Sequence, residues 1–171
     1  MATVPNKAAF LNLLNDHKGI IYKIANAYGH HPQDREDLVQ EIMLQAWRSF
    51  PRYDPTYKVS TWLYRIALNV AISWWRKKEV RRKREVALED QLEQGGEDTS
   101  LAAEKEATLQ LLHRFIGELK ALDKALMLLY LEEKSYEEIA EILHISKTNV
   151  ATKIGRIKQK LKQRFAAQKE N

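Results

Sequence analysis

The sequence predicts an all-α protein: two small helical domains joined by a flexible acidic linker, the C-terminal one a helix-turn-helix. Three observations carry this expectation. Only 6 Gly and 4 Pro occur in 171 residues, too few for a turn-rich β architecture. Apolar residues recur at helical spacing through most of the chain. The charges, 28 Lys plus Arg against 23 Asp plus Glu, alternate in blocks instead of spreading evenly.

Residues 1–71 are close to balance, with 8 basic and 6 acidic side chains. Residues 72–84 then hold 7 basic against 1 acidic, and residues 85–106 invert this at 8 acidic against 1 basic. The stretch 107–143 is mildly acidic, and 144–171 returns to 8 basic against 1 acidic. The acidic stretch contains Gly95-Gly96 and reads as the linker. The expected division is therefore a domain at 1–84, a linker at 85–106 and a domain at 107–171. A single basic block is equally well a solvated helix face. Two blocks, each ending a helical segment, point to a polyanionic partner.

The first helix spans about 6–28 through Phe10, Leu13, Leu14, Ile20, Ile21, Ile24 and Tyr28, with a possible break at Gly19. Gly29-His30-His31-Pro32 stops it, and Asp34 opens a second helix with acidic residues in its first turn. Val39, Ile42, Met43, Ala46, Trp47 and Phe50 form the core stripe of that helix. Its opposite side carries Asp37, Gln40, Glu41 and Leu44 at i, i+3, i+4, i+7, which by itself reads as a solvated face.

Pro51 and Asp54-Pro55 mark a loop containing Tyr53 and Tyr57, after which Ser60 or Thr61 can cap a helix running to about Arg84. Val59, Leu63, Ile66, Ala67, Val70 and Trp74 form its expected core face. Leu68, Ile72 and Trp75 point away from that face, among Arg65, Asn69 and Arg76. A helix buried on two sides would explain this. So would an outer face mixing rings with cations, the mixture that single-stranded nucleic acid wants. The second reading is favoured.

Beyond the linker, 101–119 is helical through Leu109, Leu112, Phe115, Ile116 and Leu119. Residues 121–132 are apolar nearly all round, as in a helix enclosed by neighbours. Ser135-Tyr136-Glu137-Glu138 is a capping box opening a short helix, His144-Ile145 makes a tight turn, and Ser146 caps a second helix. In this last helix Val150, Ile154, Ile157 and Leu161 face inward. Asn149, Thr152, Lys153, Arg156 and Lys160 form the opposite stripe, and each can hydrogen-bond to bases or phosphates. Hydrophobic anchoring behind polar readers is what a recognition helix requires. Gly155, costly in a helix by about 1 kcal/mol, implies a close approach of another helix or of DNA.

Other classes are set aside. The absence of Cys excludes disulfides, thiolate metal sites and a cysteine nucleophile. No apolar run approaches 18 residues and the N-terminus lacks signal-peptide character, so a cytoplasmic protein without membrane insertion is expected. His30-His31 beside Asp34 is plainly a polar helix break, and no metal, cofactor or catalytic residue is expected. A stand-alone helix-turn-helix regulator would leave the aromatic residues of 62–76 without a role.

The ordered set of segments resembles the bacterial RNA polymerase sigma factors of the extracytoplasmic-function type. The resemblance is carried by Asp34 to Glu41 with Ala46-Trp47, by Ser60 to Ala67 with Asn69, and by Ser135 to Leu143 through Lys158. It implies a non-enzymatic factor that binds core RNA polymerase, recognises −10 and −35 promoter elements, and promotes DNA opening. By the same resemblance Asp37, Gln40, Glu41 and Leu44 dock on the polymerase. Arg52, Tyr53, Tyr57, Trp62, Arg65, Asn69 and Arg76 then contact the −10 element and the opened non-template strand. The −35 duplex falls to Ser146, Asn149, Thr152, Lys153, Arg156 and Lys160. An anti-sigma factor, often membrane-bound, is the further partner implied.

Overall fold

A computed structural model describes residues 6–86 and 103–170. It is built from helices: α1 (Lys7–Tyr28), α2 (Pro32–Ser49), a 3-10 turn (Phe50–Arg52), α3 (Val59–Val86), α4 (Ala103–Gly117), α5 (Ala121–Leu131), α6 (Tyr136–Leu143) and α7 (Lys147–Lys169). No strand occurs among the described residues. Most of the expected acidic linker, 87–102, lies outside them, while α3 and α4 run into its two ends.

The side chain of Asn6 caps α1 by accepting from the amides of Ala8 and Ala9. The helix runs unbroken through Gly19, so the possible break there does not occur. It ends where the Gly29 amide bonds the Ala25 oxygen at 2.8 Å. Gly29 is extended, and its value is clearance: a Cβ there would lie 2.8 Å from Cγ of Arg35, which in turn donates Nε to the Gly29 oxygen. The second helix starts at Pro32, two residues before the expected Asp34. Proline's fixed φ and missing amide suit a first helical position.

Phe10, Leu14, Ile21 and Ile24 of α1 pack with Leu38, Ile42 and Ala46 of α2 and Leu63, Ala67 and Ala71 of α3. The stripe on α2 is thus centred on Leu38, Ile42 and Ala46, with Val39, Met43 and Trp47 half-buried beside it. Val59 begins α3, which places Ser60 and Thr61 inside its first turn instead of at the cap.

One expectation for α3 is corrected. Leu68 is only 1% exposed, and Ile72 and Trp75 are half-buried. The face expected to point outward is covered by α5 and α6, so α3 is a helix buried on two sides. Arg65 is also drawn into this contact, while Asn69 and Arg76 remain exposed as expected.

In the C-terminal half, α5 is enclosed by its neighbours, with Ala121, Ala125, Leu126, Met127 and Leu129 buried. Lys124 is buried with them. Phe115 and Ile116 anchor α4, and Phe115 meets Phe165 of α7 edge-on. Leu109, expected in this core, is 56% exposed because it falls on the outer side of α4.

The helix-turn-helix forms as expected. The Ser135 hydroxyl accepts from the Glu138 amide at 3.1 Å, and the Glu138 carboxylate accepts from the Ser135 amide at 3.2 Å. His144 takes the left-handed conformation (φ 54°) that turns the chain, and Ser146 accepts from the Asn149 amide to start α7. Val150, Ile154, Ile157 and Leu161 are the buried residues of α7.

Candidate nucleic-acid interface

The loop between α2 and α3 is held by its own side chains. Asp54 accepts from both the amide (2.9 Å) and the hydroxyl (2.8 Å) of Thr56, bonds that hold its carboxyl below the usual range. The Tyr53 hydroxyl donates to the Tyr57 oxygen at 2.8 Å. The Tyr53 ring tilts against Trp62 with centroids 5.0 Å apart, and Phe50 lies behind Trp62 at 6.5 Å. Arg65 closes the far side with its guanidinium 5.8 Å from the Tyr57 ring centre.

Arg52, Tyr53, Asp54, Tyr57, Thr61, Trp62 and Arg65 line a recess of about 200 Å³. Rings on two sides and guanidinium groups at the rim suit a flat, unstacked base with its phosphate outside. Reading the sequence brought Arg52, Tyr53, Tyr57, Trp62 and Arg65 together here but missed Asp54 and Thr61. Asp54 marks the turn of the loop, and Thr61 sits next to Trp62; both signals were local.

Beside the recess runs a groove between α2 and α3. Asp37, Glu41, Gln45 and Ser49 form one wall, and Asn69, Ser73, Trp74 and Lys77 stand opposite. Gln33 donates to Asp37 at 3.1 Å and Gln45 to Glu41 at 3.0 Å, so both carboxylates are held by neutral amides. Neither forms an ion pair among the described residues. With Gln40 and the 42%-exposed Leu44, this makes an acidic face with an apolar centre. Arg76 lies further along α3, exposed and away from the recess. Lys78 turns back to pair with Asp34 while covering the Trp74 ring at 4.8 Å.

The third surface is α7. Asn149, Thr152, Arg156 and Lys160 are exposed and Lys153 half-exposed. Lys153, Arg156 and Lys160 line one groove, whose other wall includes Asp123 of α5, a residue the sequence reading left out. The Ser146 hydroxyl is committed to its cap. Nothing among the described residues lies within 4 Å of where a Gly155 Cβ would be, so of the close approaches expected there, by a helix or by DNA, no described helix makes the first.

Comparison with known proteins decides the family. Sigma-70 region 2 matches residues 13–81, and Sigma-70, region 4 matches residues 109–161. The ECF RNA polymerase sigma factor SigW of Bacillus subtilis is 31% identical, over 92% of this chain and 89% of that protein. The chain belongs to the ECF sigma factors of the sigma-70 family. ECF RNA polymerase sigma-E factor of Haemophilus influenzae is similar at 28% identity, covering 94% of this chain and 89% of the relative. As an ECF sigma factor, the protein recognises promoters and serves transcription initiation by RNA polymerase. Its fold is shared with CnrH, solved in complex with the cytosolic domain of CnrY (TM-score 0.66, 24% identity, covering 95% of this chain and 90% of that one). It is shared also with RpoE from Bartonella quintana, solved with the anti-sigma factor NepR (TM-score 0.63, 22% identity, covering 92% and 94%).

Proposed function

We propose that this sigma factor divides its work among three surfaces. Asp37, Gln40, Glu41 and Leu44 dock on core polymerase, where carboxylates that form no ion pair among the described residues suit a basic partner helix. The recess of Arg52, Tyr53, Tyr57, Trp62 and Arg65 holds a base of the −10 element flipped from the opened non-template strand, and Asn69 and Arg76 follow that strand along α3. Ser146, Asn149, Thr152, Lys153, Arg156 and Lys160 meet the −35 duplex, with α7 in the major groove. The units are residues 1–84 and 107–171, joined by the acidic segment 85–106. The factor has no catalytic activity of its own and needs no cofactor.

An anti-sigma factor is proposed as regulator, because both structural neighbours were solved with a partner, in one case named as an anti-sigma factor. A cytoplasmic location is part of the same reading. No helix among the described residues is long and apolar enough to cross a membrane.

The observation that carries the −10 assignment is the recess itself, a ring-walled space of about 200 Å³ with cations at its rim. Permanganate footprinting of a promoter with reconstituted polymerase tests it. Wild-type factor should open the −10 region, and Trp62→Ala should retain polymerase binding while losing opening. Equal footprints for the two proteins would overturn the assignment.

A further inference from the structure

Toward the C-terminal end of α3 lies a second recess, of about 590 Å³, that takes no part in the three surfaces described above. Four segments line it. His30 comes from the turn between α1 and α2, and Trp75, Glu79 and Arg82 come from α3. His113 and Arg114 enter from α4, and residues 118–120 from the turn leading into α5. Its size falls within the range of about 300–1,000 Å³ usual for small-molecule sites.

The charge of this recess is one-sided. Arg82, Arg114 and Lys120 are all exposed, and none of them forms an ion pair among the described residues. Two carboxylates stand with them. Arg164 engages Glu118, which leaves Glu79 to face three cations. A further positive charge lies behind the wall. Lys124 is fully buried, with its ammonium 4.5 Å from the Trp75 ring centre, and it too forms no ion pair among the described residues. Burial lowers the pKa of Lys124, and Glu79 opposes that. At His30 burial lowers the pKa first, and Lys124, Lys78 and His31 add to it against Asp34. Like charges gathered in one concavity focus their field and draw in a counter-anion.

Hydrogen-bond donors point the same way. Trp75 Nε1 is buried and has no acceptor among the described residues, although buried donors in folded proteins are nearly always satisfied. Lys120 precedes α5 without a side-chain cap, so the first amides of that helix add donors beside its ammonium. Two guanidinium groups complete the set, and their planar forks match phosphate oxygens in pairs. A single phosphate would leave most of the recess unfilled, whereas two or three linked phosphates reach all three cations.

We propose that this second recess binds a small polyphosphate, free or carried by a nucleoside, with its phosphates held by Arg82, Arg114 and Lys120. The site shares no residue with the base recess, the α2–α3 groove or the reading face of α7, so it stands apart from the roles proposed for them. Its walls come from both helical units, and a bound polyphosphate therefore ties their contact to the concentration of that anion.

Isothermal titration of the full chain with inorganic pyrophosphate and with ATP, in buffer free of divalent metal, tests this. Both anions should bind saturably at one per chain. Arg114→Gln and Lys120→Gln alter exposed side chains, so circular dichroism should stay unchanged while each weakens binding about fivefold. Glu79→Gln should act in the opposite sense and tighten binding about threefold, because it removes the carboxylate that competes with the ligand. The double variant Lys153→Gln/Arg156→Gln on α7 should bind as wild type does. Tighter binding of ATP than of pyrophosphate assigns the recess to a nucleotide, and equal binding assigns it to the phosphates alone. Absence of saturable binding up to about 10 mM would overturn the site. So would binding indifferent to Arg114 and Lys120, weakened by Glu79→Gln, or lost in the α7 double variant. If Arg114→Gln weakens binding of a mixed-sequence duplex 12-mer while pyrophosphate does not bind at all, the recess belongs to the DNA backbone and the small-ligand assignment fails.

Discussion

The hydroxyl of Tyr28 and the backbone oxygen of Ala121 meet at 2.7 Å across 93 residues of sequence, joining the end of α1 to the start of α5. Burial pushes this hydroxyl well above its ordinary range, so it stays a donor at any working pH. As the first residue of α5, Ala121 also owes its oxygen to the helical bond from residue 125. Tyr28→Phe should therefore cost only the net worth of one hydrogen bond, about 0.5–1.5 kcal/mol. Equilibrium urea unfolding checks this, and a loss above about 3 kcal/mol would mean that the ring itself had moved.

The recess predicts a second outcome. Base–aromatic stacking is worth about 1–3 kcal/mol per base, so Trp62→Ala should reduce the yield of open promoter complex about 5- to 150-fold. Tyr53→Phe keeps the ring against Trp62 but frees the Tyr57 oxygen, and should cost much less. Open-complex yield measured at fixed polymerase concentration separates the two variants.

On α7, charge and sequence reading should come apart. Arg156→Ala should lower the slope of log affinity against log salt by about 1 for duplex promoter binding by the holoenzyme. Asn149→Ala should leave the slope unchanged and alter which base is preferred in the −35 element. A salt titration on a panel of single-base variants checks both.

His30 provides the pH prediction. It packs edge-on against Trp75 with centroids 5.1 Å apart. Burial pushes its pKa below the ordinary 6.5, helped by Lys124, Lys78 and His31 and opposed by Asp34. Above 6.5 the ring is neutral whether folded or unfolded. As pH falls through 6.5 the unfolded chain takes up a proton that the folded chain resists, so stability is lost on acidification. The urea midpoint should fall between pH 7.5 and 6, and His30→Gln should flatten that part of the curve. An unchanged slope in the variant would refute it.

Periodicity made most of the fold legible before any coordinates. The inward stripe of α7, Val150 to Leu161, and the capping box at Ser135 could be read directly, because both depend on neighbours within a few residues. Leu68 could not. A helix with apolar residues on two faces has two physical explanations, and local spacing does not say whether the second face meets protein or nucleic acid. Lys124 was hidden for a similar reason. Its burial depends on Ala27, Tyr28 and Trp75, all far away in sequence. The site residues were legible as types, rings near cations, while Asp54 and Thr61 entered only through the shape of the loop. His144 was placed in a turn, but its left-handed backbone is not something a histidine announces.

Gly155 is exposed on α7, and a methyl group there would touch nothing in the folded chain. By helix propensity alone, Gly155→Ala should stabilise the protein by about 1 kcal/mol, and thermal unfolding would register it. At 100° per residue the position falls on the flank beside Thr152 and Gln159, off the centre of the reading stripe. The glycine thus behaves like the notch cut in a key blank: it weakens the metal and makes sense only once the lock is in view. Side chains of graded size at this one position would gauge how near the DNA backbone passes, with the fold kept and promoter affinity falling as the side chain grows.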